Sequence, residues 1–372
     1  MKHISEAALA EAIEARVSRD LLSCNIGGAS ALVKQGDRIL YKKHFGSDFC
    51  EVSDRTLFRL ASMTKPISAV GAMILVERGL LSLDDTVDRF YSGFSTALVL
   101  NEKGEREERA IDTRVTVRHL LTHTSGIASG VMDGRVERAL TDFDRASVDG
   151  YVEFLSRMPL SFVPGTMTEY SGVGAFSVLT GIIQKLTDMP YSEYLKSEIL
   201  EPCGMVDTTF APSEEQWCRL IPMHNKKDGV CALGETREGC VFAAYPVTNF
   251  LGGAGLVSSM SDYLRFAQML MARGLSEGGR ILTESSVEAI ATPLFPKGDG
   301  ESWGLGVRVI TEGGKSPLPI GTYGWSGAYG THFFIDRANE VIGIYMKNSR
   351  YDGGANAVTA ANFERDVYSA LV

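Results

Sequence analysis

From Pro66 to Val76 the chain reads Pro66-Ile67-Ser68-Ala69-Val70-Gly71-Ala72-Met73-Ile74-Leu75-Val76, apolar on every side of a helical projection, and the run stops at Glu77-Arg78-Gly79. A helix without a polar face must be buried all round. Gly79 marks its C-terminal stop. Pro66 is tolerated only in a first turn, so the helix starts beside Ser62-Met63-Thr64-Lys65. Residues three apart share a helix face, so the Ser62 hydroxyl and the Lys65 amine can meet there. The positive end of the helix dipole and its free N–H groups favour negative charge developing at that serine. A serine so placed can become a nucleophile without a histidine.

The elements around this helix follow an order. Glu6 to Arg16 reads as an amphipathic, charged helix, which argues against a signal peptide and for a cytoplasmic location. Gly28–Lys34 and Arg38–Lys43 flank the turn Gln35-Gly36-Asp37 and predict a hairpin. Helical periodicity dominates from Leu80 to about Ala211, with helices over 175–186 and 191–200. The charged run 101–109 reads as an exposed loop or hairpin tip, and roughly 213–240 as a less patterned stretch, a long surface excursion. Ser261-Asp262 caps a helix reaching Ala272. Strands follow at 304–310, 331–336 and 341–346, the last two joined by the turn 337–340, and a final helix covers 357–371. Strands thus lie at both ends and helices in the middle. The expected fold is α+β: a central antiparallel sheet built from both termini and flanked by helices, with an inserted helical domain. The sheet domain is expected over 1–66 and 241–372, the helical domain over 67–240, and the site in the cleft between them.

At 372 residues the chain can bury a sizeable core, and its formal charge of −9 argues against nucleic acid or an anionic membrane as partner. No apolar run reaches the length of a membrane span. The six cysteines, Cys24, Cys50, Cys203, Cys218, Cys231 and Cys240, contain no Cys-x-x-Cys pair and are too sparse for a disulfide scaffold, so free thiols are expected.

Two further segments join Ser62 and Lys65. Pro164-Gly165-Thr166-Met167-Thr168-Glu169-Tyr170-Ser171-Gly172 delivers a tyrosine just before a helix, and Gly324-Trp325-Ser326-Gly327-Ala328 sits just before a strand near the C-terminus. With Thr116–Gly126, and in this order, they resemble the class C β-lactamase and penicillin-binding protein superfamily. Within it the chain is most similar to the serine esterases with a β-lactamase fold, the family VIII carboxylesterases. The resemblance implies that Ser62 is acylated while Lys65 and Tyr170 move its proton. It also implies that the backbone N–H groups of Ser62 and Ala328 form an oxyanion hole, and that Trp325, Ser326, Gly327 and Gly172 line the substrate site. The chemistry is consistent, because a serine hydroxyl is a poor nucleophile unless a positioned base takes its proton.

The departures bear on substrate. Where the family's third motif has lysine this chain has Trp325, and where Y-x-N has asparagine it has Gly172. Such a site has lost its grip on a carboxylate and an acylamino group and gained apolar surface. Carboxylic esters of short to medium acyl chains are therefore expected as small-molecule substrates. A β-lactamase or D-amino acid peptidase on the same site is the alternative, and a non-catalytic binding protein of this fold a third reading. Gly274-Leu275-Ser276-Glu277-Gly278 matches Gly-x-Ser-x-Gly but lacks the strand before and helix after that a nucleophile elbow needs. His119 and His123 have the i, i+4 spacing of zinc ligands but lack the Glu of His-Glu-x-x-His, so no metal and no cofactor are expected. His123 is expected to order the loop beginning at Thr124, Trp303 and Trp217 to serve packing, and His332, which could line the pocket, to be a strand histidine satisfied by its neighbours.

Overall fold

The computed structural model describes residues 3–96, 98–100, 106–107, 113–129, 134–237, 250–312, 314, 316–352 and 358–371. In chain order, helix α1 (Glu6–Leu22) leads to strands β1 (Ala29–Gln35), β2 (Arg38–Phe45) and β3 (Leu57–Arg59), then helix α2 (Thr64–Glu77) and, after several short helices, α3 (Gly174–Thr187). Strand β4 (Val257–Ser259) leads into α4 (Met260–Met271). Then come β5 (Phe295–Gly298), β6 (Glu301–Trp303), β7 (Arg308–Ile310), β8 (Tyr323–Ser326), β9 (His332–Asp336), β10 (Val341–Met346) and helix α5 (Thr359–Ser369).

One eight-stranded sheet runs β5-β6-β7-β8-β9-β10-β1-β2, antiparallel throughout. The sheet built from both termini is thus observed, and β1 against β10 is the seam, with Ser30 opposite Met346 and Gln35 opposite Val341. Both faces are covered, which explains why all six residues of β10 are buried rather than alternating. Ala29, Ala31 and Val33 join Phe334 and Tyr345 beneath α1 and α5. Leu32, Phe333, Ile335 and Ile344 face the other way, into the large core they share with α2, α3 and α4. Within that core α2 is buried at every position from Thr64 to Leu75, as its uniformly apolar surface requires.

Several expectations are corrected. The less patterned stretch holds regular elements between 213 and 237. Ser213 and Gln216 form a capping box on a helix at Glu214–Arg219, and His224–Lys227 pairs with Val230–Leu233. Residues 304–310 are not one strand: Gly306, at φ +73°, takes the chain out of line between β6 and β7. The cap of α4 is Ser259, whose Oγ accepts from Asp262 N–H at 3.1 Å. The helix over 191–200 changes to π-type bonding at Lys196–Leu200. Val99–Leu100 pairs with Arg106–Glu107 of the charged run, whose residues 101–105 and 108–109 lie outside those described, as does Cys240. The other five cysteines are free thiols. No helix among the described residues is long and apolar enough to cross a membrane.

Candidate active site

Strand pairing, not the helix alone, seats Ser62. The short ladder of β3 with β4 continues through Leu60 N–H to Leu256 O at 2.9 Å. Ala61 then turns the chain at φ +46°, a left-handed value that a Cβ resists, and the single 3-10 turn Ala61–Met63 opens α2. Such a backbone persists only where its surroundings hold it. Thr331 Oγ1 donates to Leu60 O and Tyr263 Oη donates to Met63 O, each at 2.9 Å.

Lys65 follows one turn on and is fully buried. Its Nζ lies 3.3 Å from Ser62 Oγ and donates to Gly172 O (2.6 Å) and Gly253 O (2.8 Å). Burial pushes its pKa below the ordinary lysine value, opposed by Tyr170. Tyr170 approaches from the helical side, and its Oη donates to Ser62 Oγ at 2.5 Å. The three side chains read as candidates in the sequence therefore form one hydrogen-bonded group.

His123 holds the tyrosine in place. Its carbonyl accepts from Glu169 N–H and Thr168 Oγ1, both at 3.1 Å, and its Nδ1 accepts from Ser171 N–H at 3.3 Å. It thus orders the segment carrying Tyr170, beyond the loop after Thr124 expected for it. The ring is fully buried, with centroids 4.7 Å from Tyr170 and 4.4 Å from Trp303. Burial, with the Lys65 and Lys297 charges, pushes its pKa well below the histidine value and keeps it neutral. His119 is spent elsewhere, its Nδ1 accepting from Thr116 N–H in a capping box. Trp303 is buried and bonds Thr168 Oγ1 at 2.7 Å, so it packs behind Tyr170. Trp217 lies away from this group, in a small cluster with Leu57 and Leu220. Ser276 belongs to a tight hairpin, its Oγ donating to Pro202 O and Gly279 O, with no elbow context.

The third motif closes the site. Trp325 is half-buried, 5.4 Å from the Tyr170 ring and 4.9 Å from Trp303. Lys297 lies over both indoles, at 5.2 Å from Trp303 and 5.7 Å from Trp325, paired with Glu301 at 2.5 Å. Ser326 Oγ meets His332 Nδ1 at 2.9 Å, so this strand histidine is satisfied by a neighbour at one ring nitrogen, while its Nε2 faces Glu364 Oε1 at 3.2 Å. Gly327 presses on the turn before Ser62: a Cβ there would stand 2.2 Å from Leu60 O and 2.1 Å from Thr331 Oγ1. This contact brings the segment carrying Ala328 alongside Ser62. Gly172, read in the sequence for its missing side chain, also acts through its backbone, since its carbonyl holds Lys65. Backbone acceptors such as Gly172 O, Gly253 O and His123 O leave no side-chain signal, which is why sequence reasoning did not find them.

The Gly327 contact makes a first expected result. Gly327→Ala should lower stability by roughly 1–3 kcal/mol, the usual cost of overpacking, and lower kcat with it as the Ser62 turn is displaced. Urea melts and an ester assay read both, and an unmoved melting midpoint would show that the two segments part freely.

A family model described as Beta-lactamase matches residues 9–364. Esterase EstB of Burkholderia gladioli is 30% identical over an alignment of 396 positions, covering 96% of this chain and 95% of that protein. Penicillin-binding protein 4* of Bacillus subtilis (strain 168) is 27% identical, covering 87% of this chain and 68% of that one. Among solved structures, EstCE1, titled a hydrolase with promiscuous acyltransferase activity, superposes with TM-score 0.83 at 22% identity, covering 98% of this chain and 99% of that one. The match runs through all the segments that build the Ser62 site, and the chain belongs to the beta-lactamase family, as a serine hydrolase.

Proposed function

We propose that the protein hydrolyses carboxylic esters of small neutral acids through an acyl-enzyme on Ser62. One observation carries this reading: Ser62 Oγ lies within reach of both Tyr170 Oη (2.5 Å) and Lys65 Nζ (3.3 Å), beneath the Trp325 indole instead of a lysine. That EstB is named an esterase supports it. Substrate enters between the sheet unit (1–66 and 241–372) and the helical unit (67–240). A neutral Lys65 amine donates its two N–H groups to Gly172 O and Gly253 O and turns its lone pair toward Ser62. Lys65 and Tyr170 take the Ser62 proton as a unit while Oγ attacks the ester carbon. The oxyanion rests on the N–H groups of Ser62 and Ala328. The alcohol leaves with the proton; water, deprotonated by the same pair, then releases the acid.

Two measurements test this. Short-chain p-nitrophenyl esters should be turned over far faster than a chromogenic cephalosporin or a D-alanyl peptide, and Trp325→Lys should shift preference toward carboxylate-bearing substrates by roughly 1–3 kcal/mol, the size of one charge-assisted contact. A wild type that hydrolyses the cephalosporin as fast as the butyrate ester would replace this reading with the β-lactamase one. The pH profile is the second. Because burial lowers the Lys65 pKa, the pair gives up its proton below the ordinary lysine range. kcat/KM should therefore rise with pH and reach its plateau well below pH ~10. An acid limb climbing without a plateau to that pH would contradict the buried, depressed lysine.

A further inference from the structure

Helix α1 ends in a Schellman motif: Cys24 N–H donates to Leu21 O at 2.9 Å, and Asn25 N–H to Asp20 O at 2.8 Å. The residue that turns the chain there, at φ +51°, is Cys24, in the left-handed position where glycine is the usual choice. A side chain kept against that cost points to a use for it. The hairpin of His224–Lys227 with Val230–Leu233 lies over this turn. Lys226 and Cys231 stand opposite each other in its register, so both side chains leave the same face. Lys226 Nζ donates to Ser23 O at 2.7 Å and to Asn25 Oδ1 at 3.1 Å, gripping the residues on either side of Cys24. Cys231 Sγ lies 4.0 Å from Ile26 O and shares a hydrogen bond with the Cys24 thiol.

Thiols in hydrogen-bond contact have only to close to about 2 Å to become a disulfide. Both are partly exposed, so a small oxidant reaches them. Burial, then the Cys24 hydrogen bond and charge, push the Cys231 thiol up to about 11, against the pull of Lys226. Cys24 is therefore the sulfur that attacks first, while Cys231 keeps its proton until the second step. Cys50, the third thiol of this corner, is otherwise engaged: its Sγ donates to Gly27 O at 3.4 Å, and burial pushes it up to about 11 as well.

We propose that Cys24 and Cys231 form a reversible dithiol–disulfide latch between the end of α1 and the hairpin over 224–233, closed by small disulfides and opened by thiols. The Cys24 thiolate attacks one sulfur of glutathione disulfide and expels the first glutathione thiolate; the Cys231 thiolate then attacks the Cys24 sulfur and expels the second. The protons lost by the two cysteines go to the two leaving thiolates, so one disulfide is reduced as another forms. The latched segment runs beside β3, where Ile221 N–H donates to Leu57 O at 2.9 Å and Arg59 Nη1 to Ile221 O at 3.0 Å. It does not depend on which substrate Ser62 takes.

The test uses the folded full chain, incubated with glutathione disulfide at mildly alkaline pH, then unfolded and blocked with N-ethylmaleimide. A nonreducing digest should join the peptide carrying Cys24 to the one carrying Cys231. The thermal midpoint of the oxidised chain should rise by about 5 °C, because the loop closed is long, and dithiothreitol should reverse both changes. Cys231→Ser should lose the cross-link and the shift, and Cys50→Ser should keep them. Cys24→Gly, with the residue best suited to that turn, should fold as well as the reduced wild type and lose both. Glutathione adducts on Cys24 or Cys231 without the cross-link, or a cross-link running instead through Cys50, Cys218 or Cys240, overturn the inference. A cross-link that leaves the midpoint unmoved is a bond without a latch and overturns it too.

Discussion

Ser62→Ala should lose at least roughly three orders of magnitude in kcat, the scale seen when a nucleophile is removed and only binding and oxyanion contacts remain. The geometry makes the loss specific. Ser62 Oγ is the atom on which both Tyr170 Oη and Lys65 Nζ converge, and no other hydroxyl lies within hydrogen-bond distance of the two of them among the described residues. An organophosphonate should therefore add one mass increment to the wild-type chain, on the peptide carrying Ser62, and none to the variant. Ser276 cannot substitute, because its hydroxyl is tied to Pro202 O and Gly279 O in a hairpin. Labelling on the Ser276 peptide would sink the assignment.

The second large effect is a failure of additivity. Lys65→Ala and Tyr170→Phe should each lower kcat by two to four orders of magnitude, about the range of general acid–base catalysis, with little change in KM. The double variant should be scarcely worse than either single one. The reason is that Lys65 lies 4.9 Å from the Tyr170 ring centroid and shares Ser62 Oγ with its hydroxyl, so either loss breaks one proton path. Lys65→Ala also leaves Gly172 O and Gly253 O facing a cavity, and its thermal midpoint should drop, while Tyr170→Phe, which removes one oxygen, should melt near wild type. Multiplicative losses in the double variant would mean that the two residues serve separate steps.

Much of the architecture was readable from local signals. Gln35-Gly36-Asp37 announced the first hairpin, the segment 341–346 the strand β10, and the polarity-free run after Lys65 a helix inside the core. β3 and β4 were not readable, since three residues each are too few to show alternation, yet their ladder is what seats Ser62. The order within 213–237 was there to be found: Ser213 with Gln216 is a capping box, and Asp228-Gly229 is a two-residue hairpin turn joining the strands on either side. At the site, side chains with a chemical signature were legible and their supports were not. Ser62, Lys65 and Tyr170 stand in motifs, whereas His332 and Glu364 meet across distant segments, and His123 works largely through its carbonyl.

The seam of β1 against β10 has a consequence for biogenesis. As the chain emerges from the ribosome, the first hairpin must wait for nearly all the rest before it finds its neighbour, with a long loop-closure entropy to overcome. The same late segment supplies Thr331 and Gly327, which clamp the strained turn ahead of the nucleophile. Ser62 is synthesised early but becomes reactive only once residues 327–346 have emerged. Nascent chains stalled short of residue 346 should therefore expose apolar surface and resist acylation, relying on chaperones in the interval.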